Sequence, residues 1–191
     1  MHRSLLSLAL FAVLPFAASA ADTLSYDYAE AGYVRSDAHG DADGWGANAS
    51  WSIGQQFHVF GSYIDQSADV NYQSPFAVVD WRQYTLGVGY RRGINANTDL
   101  VARLGWSAID TDFTQEKNGV TAEAGMRSAL GERLEAFAMA GYGDVDVSGG
   151  GGEFYGKTGM YAKFGAHWGV AGDVTFISGD TQWFVGPRIH W

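Results

Sequence analysis

The chain has 191 residues, a net charge of −9, 26 glycines and no cysteine, and 15% of its residues are aromatic. The lack of cysteine excludes disulfides and thiolate metal sites as sources of stability. The negative charge argues against a nucleic-acid partner. The length is that of one domain, and no motif indicates a cofactor.

The N-terminus has the pattern of a secretory signal peptide. His2 and Arg3 precede an apolar run over 5–16, and Ala18-Ser19-Ala20 supplies the small residues of a cleavage site. We therefore predict a signal peptide over 1–20 and a mature domain over 21–191. The alternative, an uncleaved anchor helix, is less favoured because the run is shorter than the roughly 20 residues that span a bilayer.

The mature chain contains ten strand-like segments instead of long apolar runs. Each alternates two sets of side chains with a period of two, as the wall of a membrane barrel requires. In the second segment Trp45 and Trp51 share a face, which places them near opposite interfaces of an aromatic belt. The predicted strands are 24–34, 45–53, 57–64, 81–90, 100–106, 120–127, 134–142, 154–164, 168–176 and 181–191.

The connections alternate in length. Long polar connections are predicted at 35–43, 65–80, 109–117 and 143–153, and short ones at 54–56, 129–133 and 165–167; 91–97 and 177–180 break the rule. Long loops outside and short periplasmic turns are typical of outer-membrane barrels, and an even strand number puts both termini in the periplasm. The sequence therefore predicts an all-β fold, an antiparallel up-and-down transmembrane β-barrel of ten strands. Eight strands, or a soluble sandwich with one wet face, are the alternatives.

The last strand ends the chain on an aromatic residue. Val185, Ile189 and Trp191 lie on its apolar face and are predicted to form the signal for the barrel-assembly machinery.

Charged residues of both signs fall on the predicted inner face. Charge in such an interior needs a partner, so we expect an ion-pair network that fills a narrow lumen, with a selective pore as the alternative. The residues are Glu30, Arg103, Glu123, Arg127, Glu135, Lys157, Lys163, Asp173 and Arg188.

The predicted outer rim is acidic. Asp37, Asp41 and Asp43 space carboxylates as hard-cation loops do, which makes them a candidate metal site. The alternative is a solvated rim that meets lipopolysaccharide through shared divalent cations. His39, among these aspartates, is the one candidate base, and no second feature supports catalysis, so we predict no enzyme.

Several sequence blocks resemble a known family. They lie at 24–35 (LSYDYAEAGYVR), 43–46, 57–61, 98–101, 154–156 and 179–188 (GDTQWFVGPR). The chain resembles the small outer-membrane proteins of xanthomonads and related bacteria that are labelled a sulfation-dependent quorum factor or an activator of rice receptor-mediated immunity. The resemblance implies an outer-membrane barrel also found in vesicles, and a sulfated tyrosine that matches Tyr26. The residues themselves instead place Tyr26 in the periplasmic aromatic girdle.

The first functional expectation is a structural, adhesion or interaction role at the cell surface and in outer-membrane vesicles of a Gram-negative bacterium. The expected partners are outer-membrane lipid, lipopolysaccharide, the barrel-assembly machinery and divalent cations, with the protein as a monomer. A narrow pore or small-solute transporter is one alternative. A secreted quorum signal or immune elicitor is the other.

Overall fold

Ten antiparallel strands form a closed barrel. The computed structural model describes residues 24–37, 41–70, 77–111, 114–144 and 151–191. The predicted signal peptide over 1–20 lies outside them. The strands are β1 (Tyr28–Ser36), β2 (Ala42–Ile53), β3 (Phe57–Val70), β4 (Ala77–Asn95), β5 (Thr98–Thr111), β6 (Thr114–Ala129), β7 (Leu134–Asp144), β8 (Glu153–Lys163), β9 (Trp168–Ile177) and β10 (Asp180–His190).

Each strand pairs with its neighbours in the chain, and β1 pairs with β10 to close the sheet. Tyr28 is opposite His190 at one end of this seam, and Ser36 is opposite Gln182 at the other. The predicted fold class and the strand number of ten are confirmed, and the eight-strand and sandwich alternatives are wrong. We call the end that holds the start of β1, the end of β10 and the connections 54–56, 130–133 and 164–167 the turn end, and the opposite end the loop end.

Several segments that were predicted as connections belong to strands in the structure. The segment 65–80 continues the β3–β4 ladder as far as Val70 opposite Ala77, and 91–97 continues β4 to Asn95. The polar composition misled the prediction because a strand that extends past the membrane into water no longer needs the apolar outer face that lipid requires. β3 to β6 contain 14, 19, 14 and 16 residues, whereas β7 to β10 contain 11, 11, 10 and 11. About 9–11 residues span a membrane, so β3–β6 form a tall side and β7–β10 a low side.

The first predicted strand begins too early. β1 starts at Tyr28, and residues 24–27 precede it without strand structure. Tyrosines occur in both phases of the alternation here, so periodicity alone could not locate the start.

The outer surface is apolar and has two aromatic levels. Trp45 is 52% exposed towards the loop end and Trp51 is 60% exposed towards the turn end. Six residues at about 3.4 Å each separate them by about 20 Å, close to the apolar band of about 25 Å in outer-membrane barrels. Tyr63 and Tyr84 stack beside Trp45, and Trp191 stacks beside Trp51.

Among the residues that the structure describes, no helix has the length and apolar character needed to cross a membrane.

Glycines on the inner wall make room for rings from the neighbouring strand. A Cβ on Gly89 would lie 2.1 Å from His58 Nε2, and one on Gly141 would lie 2.3 Å from Tyr155 Cζ. Rings therefore lie flat against the wall where a side chain would otherwise stand, and the lumen keeps part of its width.

Candidate functional site

The lumen is the candidate functional site, and the inward charged side chains meet there in pairs. In each pair the two partners come from different strands, because alternation aims them inward and the barrel curvature brings them together. The contacts are Arg103 Nη1 to Glu123 Oε1 at 3.2 Å, Arg127 Nη2 to Glu135 Oε2 at 2.5 Å, Lys157 Nζ to Asp173 Oδ1 at 3.4 Å, Lys163 Nζ to Glu135 Oε1 at 2.7 Å, and Arg188 Nε to Glu30 Oε2 at 2.6 Å. All nine residues that the sequence assigned to the lumen take part.

Burial divides this network into two halves. Towards the turn end, the side chains of Arg127, Glu135 and Arg188 are at most 8% exposed. Towards the loop end, Arg103 is 20% exposed and Lys157 is 30% exposed. The turn-end half of the lumen is filled, whereas the loop-end half is accessible to solvent.

The chain before β1 fills the turn end. Tyr26 is 1% exposed and packs with Val101 and Met139, against which Leu24 and Phe137 also lie. We call this cluster, together with His58, the turn-end plug; the centroids of the His58 and Tyr26 rings are 5.0 Å apart.

Polar contacts hold Tyr26 in the plug. Its hydroxyl donates to Asp99 Oδ2 at 3.1 Å. The guanidinium carbons of Arg91 and Arg127 lie 4.5 and 4.7 Å from its ring centroid, within cation–π range. Burial raises the pKa of the Tyr26 hydroxyl, so the phenol remains protonated and acts as a donor at neutral pH.

The placement of Tyr26 in the aromatic girdle is therefore wrong. The side chain points into the lumen and not towards lipid, because two arginines and one aspartate are available there as partners and the bilayer offers no such partner. A sulfate on this hydroxyl would sit against the Asp99 carboxylate in a buried position, which is unfavourable for two like charges. Any sulfated form would have to differ from the folded barrel at this residue.

A cavity of about 380 Å³ extends from the buried Arg127 and Arg188 into the loop-end half of the lumen. It reaches from Val101 and Met139, at the top of the plug, to Glu153 and Gln182 near the loop end. The sequence predicted a lumen filled by side chains; the glycines of the inner wall are the signal that could have indicated this space.

One part of the loop end is closed by a hydrogen-bonded corner between β1, β3 and β10. Ser36 Oγ donates to Gln66 Oε1 at 3.1 Å, and Gln182 Nε2 donates to Ser36 Oγ at 3.2 Å. Beneath it, Val34 packs in an apolar cluster with Phe184. Gln182 of this corner also lines the cavity.

Arg35 separates the carboxylates of the candidate metal site. It contacts Asp41 Oδ2 at 2.6 Å and Asp43 Oδ1 at 3.9 Å, and Tyr33 also donates to Asp43. The Asp37 carboxylate accepts from the backbone N–H of Thr181. Within the described ranges no three His, Asp, Glu or Cys side chains form a group suited to a metal ion. His39 lies outside those ranges.

The three residues of the predicted assembly signal lie together on the outer face of β10. Val185, Ile189 and Trp191 are 51%, 55% and 50% exposed. The Trp191 backbone N–H donates to Asp27 O at 3.2 Å, and Ser25 Oγ donates to Trp191 O at 3.2 Å. These bonds attach the end of the chain to the segment that precedes β1.

No protein-family profile and no curated protein matches the sequence. Among solved structures, the KdgM porin in complex with disordered oligogalacturonate is similar, with a TM-score of 0.51 and 11% identity over 85% of this chain and 99% of that chain.

Two other barrels have lower scores. The translocator domain of autotransporter NalP from Neisseria meningitidis has a TM-score of 0.49 and 14% identity over 84% of this chain and 68% of that chain. Ail, the attachment invasion locus protein of Yersinia pestis, has a TM-score of 0.40 and 14% identity over 86% of this chain and 99% of that chain. The likeness to KdgM is one of fold, and it identifies the architecture as that of outer-membrane β-barrels.

Proposed function

We propose that this outer-membrane barrel is a non-conducting surface protein with a structural, adhesive or interaction role outside the cell. The observation that carries the proposal is the turn-end plug, in which Tyr26 is 1% exposed and the surrounding ion pairs are buried. A continuous water path is needed for conduction, and this cluster interrupts it.

The tall side supports a role at the surface. β3–β6 continue past the aromatic level of Tyr63 and Tyr84 as a paired sheet in water. On its outer face Arg82 lies 3.8 Å from Asp65 and 3.9 Å from Asp110, so charged groups follow directly after the aromatic level. Such a sheet offers a rigid surface for contact with lipopolysaccharide or another cell.

A narrow pore or small-solute transporter is the second candidate. The cavity on the loop-end side favours it, as does the likeness in fold to a porin. Under this hypothesis residues 24–27 leave the lumen when the pore opens.

Planar-bilayer recordings distinguish the two candidates. We expect no conductance from the mature wild-type barrel and small channels from the L24A/Y26A variant, because two side chains of the plug are then shortened. The control is Y33F on the outer face, where Tyr33 is 48% exposed; it should remain closed. Wild-type conductance that changes in R103Q would overturn the proposal in favour of the pore.

A further inference from the structure

We propose that the cavity in the loop-end half of the lumen binds a small, uncharged, polyhydroxylated solute, of the size of one or two sugar rings, from the outside. The inference deepens the proposed function and rests on it, because a lumen closed by the turn-end plug has a single mouth. The volume of about 380 Å³ lies within the usual range of roughly 300–1,000 Å³ for small-molecule sites.

The balance of charge around the cavity argues for an uncharged ligand. Its lining contains equal numbers of basic and acidic side chains: Arg103, Arg127, Lys157 and Arg188 against Glu30, Glu123, Asp173 and Glu153. Glu30, Glu123 and Asp173 each already form an ion pair with one of these basic side chains. A ligand with net charge would meet a like charge as close as an opposite one, and it would have to displace an existing partner.

The uncharged polar groups of the lining suit a ligand rich in hydroxyls. Hydroxyl and amide groups both donate and accept, as sugar hydroxyls do. They are contributed by six strands, so they surround a ligand instead of contacting one side of it. These residues are Asn48, Ser62, Gln83, Thr85, Thr121, Thr175 and Gln182.

Tyr155 provides a fixed aromatic surface in the same cavity. One side of its ring rests against Gly141, where a Cβ would lie 2.3 Å from Cζ. Its hydroxyl donates to Glu123 Oε2 at 3.1 Å, and Glu123 is also held by Arg103. The ring is therefore held in one orientation before any ligand arrives, and an aromatic face of this kind packs against the C–H face of a sugar.

The test is calorimetric titration of the detergent-solubilised mature barrel with glucose, maltose, glucuronate and glucosamine. We expect glucose or maltose to bind at millimolar concentration and the two charged sugars to bind at least about tenfold more weakly, since each leaves a like charge uncompensated. Equal or tighter binding of a charged sugar, or the absence of binding by both neutral sugars, would overturn the inference.

Two variants test whether the sugar binds in the cavity. T121V removes one cavity hydroxyl with little change of shape. It should weaken the binding of the neutral sugar roughly three- to tenfold, which is the effect of one hydrogen bond. Y155L should weaken it further. The control is T158V, since Thr158 is exposed on the outside of β8. Heat-modifiable gel mobility reports whether each variant is folded, and binding that is unchanged in folded T121V and folded Y155L would count against the site.

Conductance of the same preparation separates the two hypotheses. Suppose that the wild-type barrel conducts, that neutral sugars still bind and that T121V weakens their binding. The proposal of a closed lumen is then wrong, and the proposal of a sugar site stands. If the barrel is closed and neutral sugars do not bind, the closed lumen stands and the site is wrong.

Discussion

Glu135 joins two cations in the closed half of the lumen. Its carboxylate accepts from Arg127 Nε and Nη2 through Oε2 and contacts Lys163 Nζ at 2.7 Å through Oε1. The side chains of Glu135 and Arg127 are 3% and 8% exposed, so water can do little to replace the carboxylate as the partner of Arg127, whereas Lys163 is 15% exposed. The charge of this single carboxylate therefore matters more to stability than any charge at the rim.

The E135Q variant should lower the free energy of unfolding by about 3 kcal/mol or more, because it leaves Arg127 and Lys163 without their shared counter-charge. Urea unfolding in lipid vesicles measures the change. E116Q, at an exposed position of the loop end, should stay within about 0.5 kcal/mol of wild type. Similar losses in both variants would contradict the role given to the buried pair.

G141A and G156A form a matched pair on adjacent strands. A Cβ at Gly141 would lie 2.3 Å from the Tyr155 ring, whereas a Cβ at Gly156 has no heavy atom within 4 Å. We expect G141A to destabilise the barrel by about 1–3 kcal/mol through overpacking, and G156A to leave its stability equal or slightly higher because alanine suits a strand better than glycine. The same unfolding assay compares them, and the reverse order would refute the ring-on-glycine packing.

The sequence could predict which residues face the lumen, but it could not predict which residue each of them contacts there. A period of two aims Glu30, Arg103 and Lys157 inward whatever the register. Which acid each base meets depends on the strand stagger, which the sequence pattern does not contain. Tyr26 lies outside the alternation altogether, and its place among Arg91, Arg127 and Asp99 depends on the path of residues 24–27 across β4, β5 and β6.

At the scale of elements, the centres of the strands were predictable and their ends were not. Apolar alternation marks the part of a strand that lies in lipid, and it stops where lipid stops. The β3–β4 ladder continues beyond that point through pairs such as Ser67 with Asp80, whose outer face meets water while Gln66 and Ala68 on the inner face are buried. Backbone pairing holds these residues in register, and their composition is that of a loop.

The projecting part of this hairpin is therefore removable. Replacing residues 68–79 by Asn-Gly would join Ser67 to Asp80 with a two-residue turn, which suits paired antiparallel strands. We expect the shortened protein to retain heat-modifiable mobility. If the proposed adhesive role is correct, a strain that expresses the shortened protein should lose most of the cell–cell attachment measured with the wild-type protein. The low-side comparison replaces Ser178-Gly179 by Asn-Gly, and this variant should attach as wild type does. Unchanged attachment after shortening of the tall side would argue against its role at the surface.

At the scale of the whole molecule, we expect the end of the chain to contribute to assembly. Trp191 is half exposed to lipid and its ring centroid lies 5.5 Å from that of Trp51. We expect deletion of Trp191 to lower the amount of protein inserted in the outer membrane several-fold while export to the periplasm continues. W183A removes an aromatic residue at the other end of β10 and should insert normally. Fractionation and heat-modifiable mobility measure insertion, and equal insertion without Trp191 would contradict the signal.

Of two properties of the whole molecule, one could not be predicted from the sequence and the other could. The division of the lumen into a filled half and an open half depends on where residues 24–27 turn, and no pattern in those residues specifies an inward path. The closing of the sheet was predictable from the amphipathic last strand, because an unpaired apolar strand is unstable in a membrane.

The seam between β1 and β10 has a mechanical consequence. Both ends of the described barrel lie at the turn end, and Asp27 and Trp191 are bonded to each other there. A pulling force applied between the termini would therefore load the antiparallel ladder one rung at a time, starting from Tyr28 and His190. In this geometry the barrel peels open like a zipper at low force, whereas force applied across the strands would meet many rungs at once.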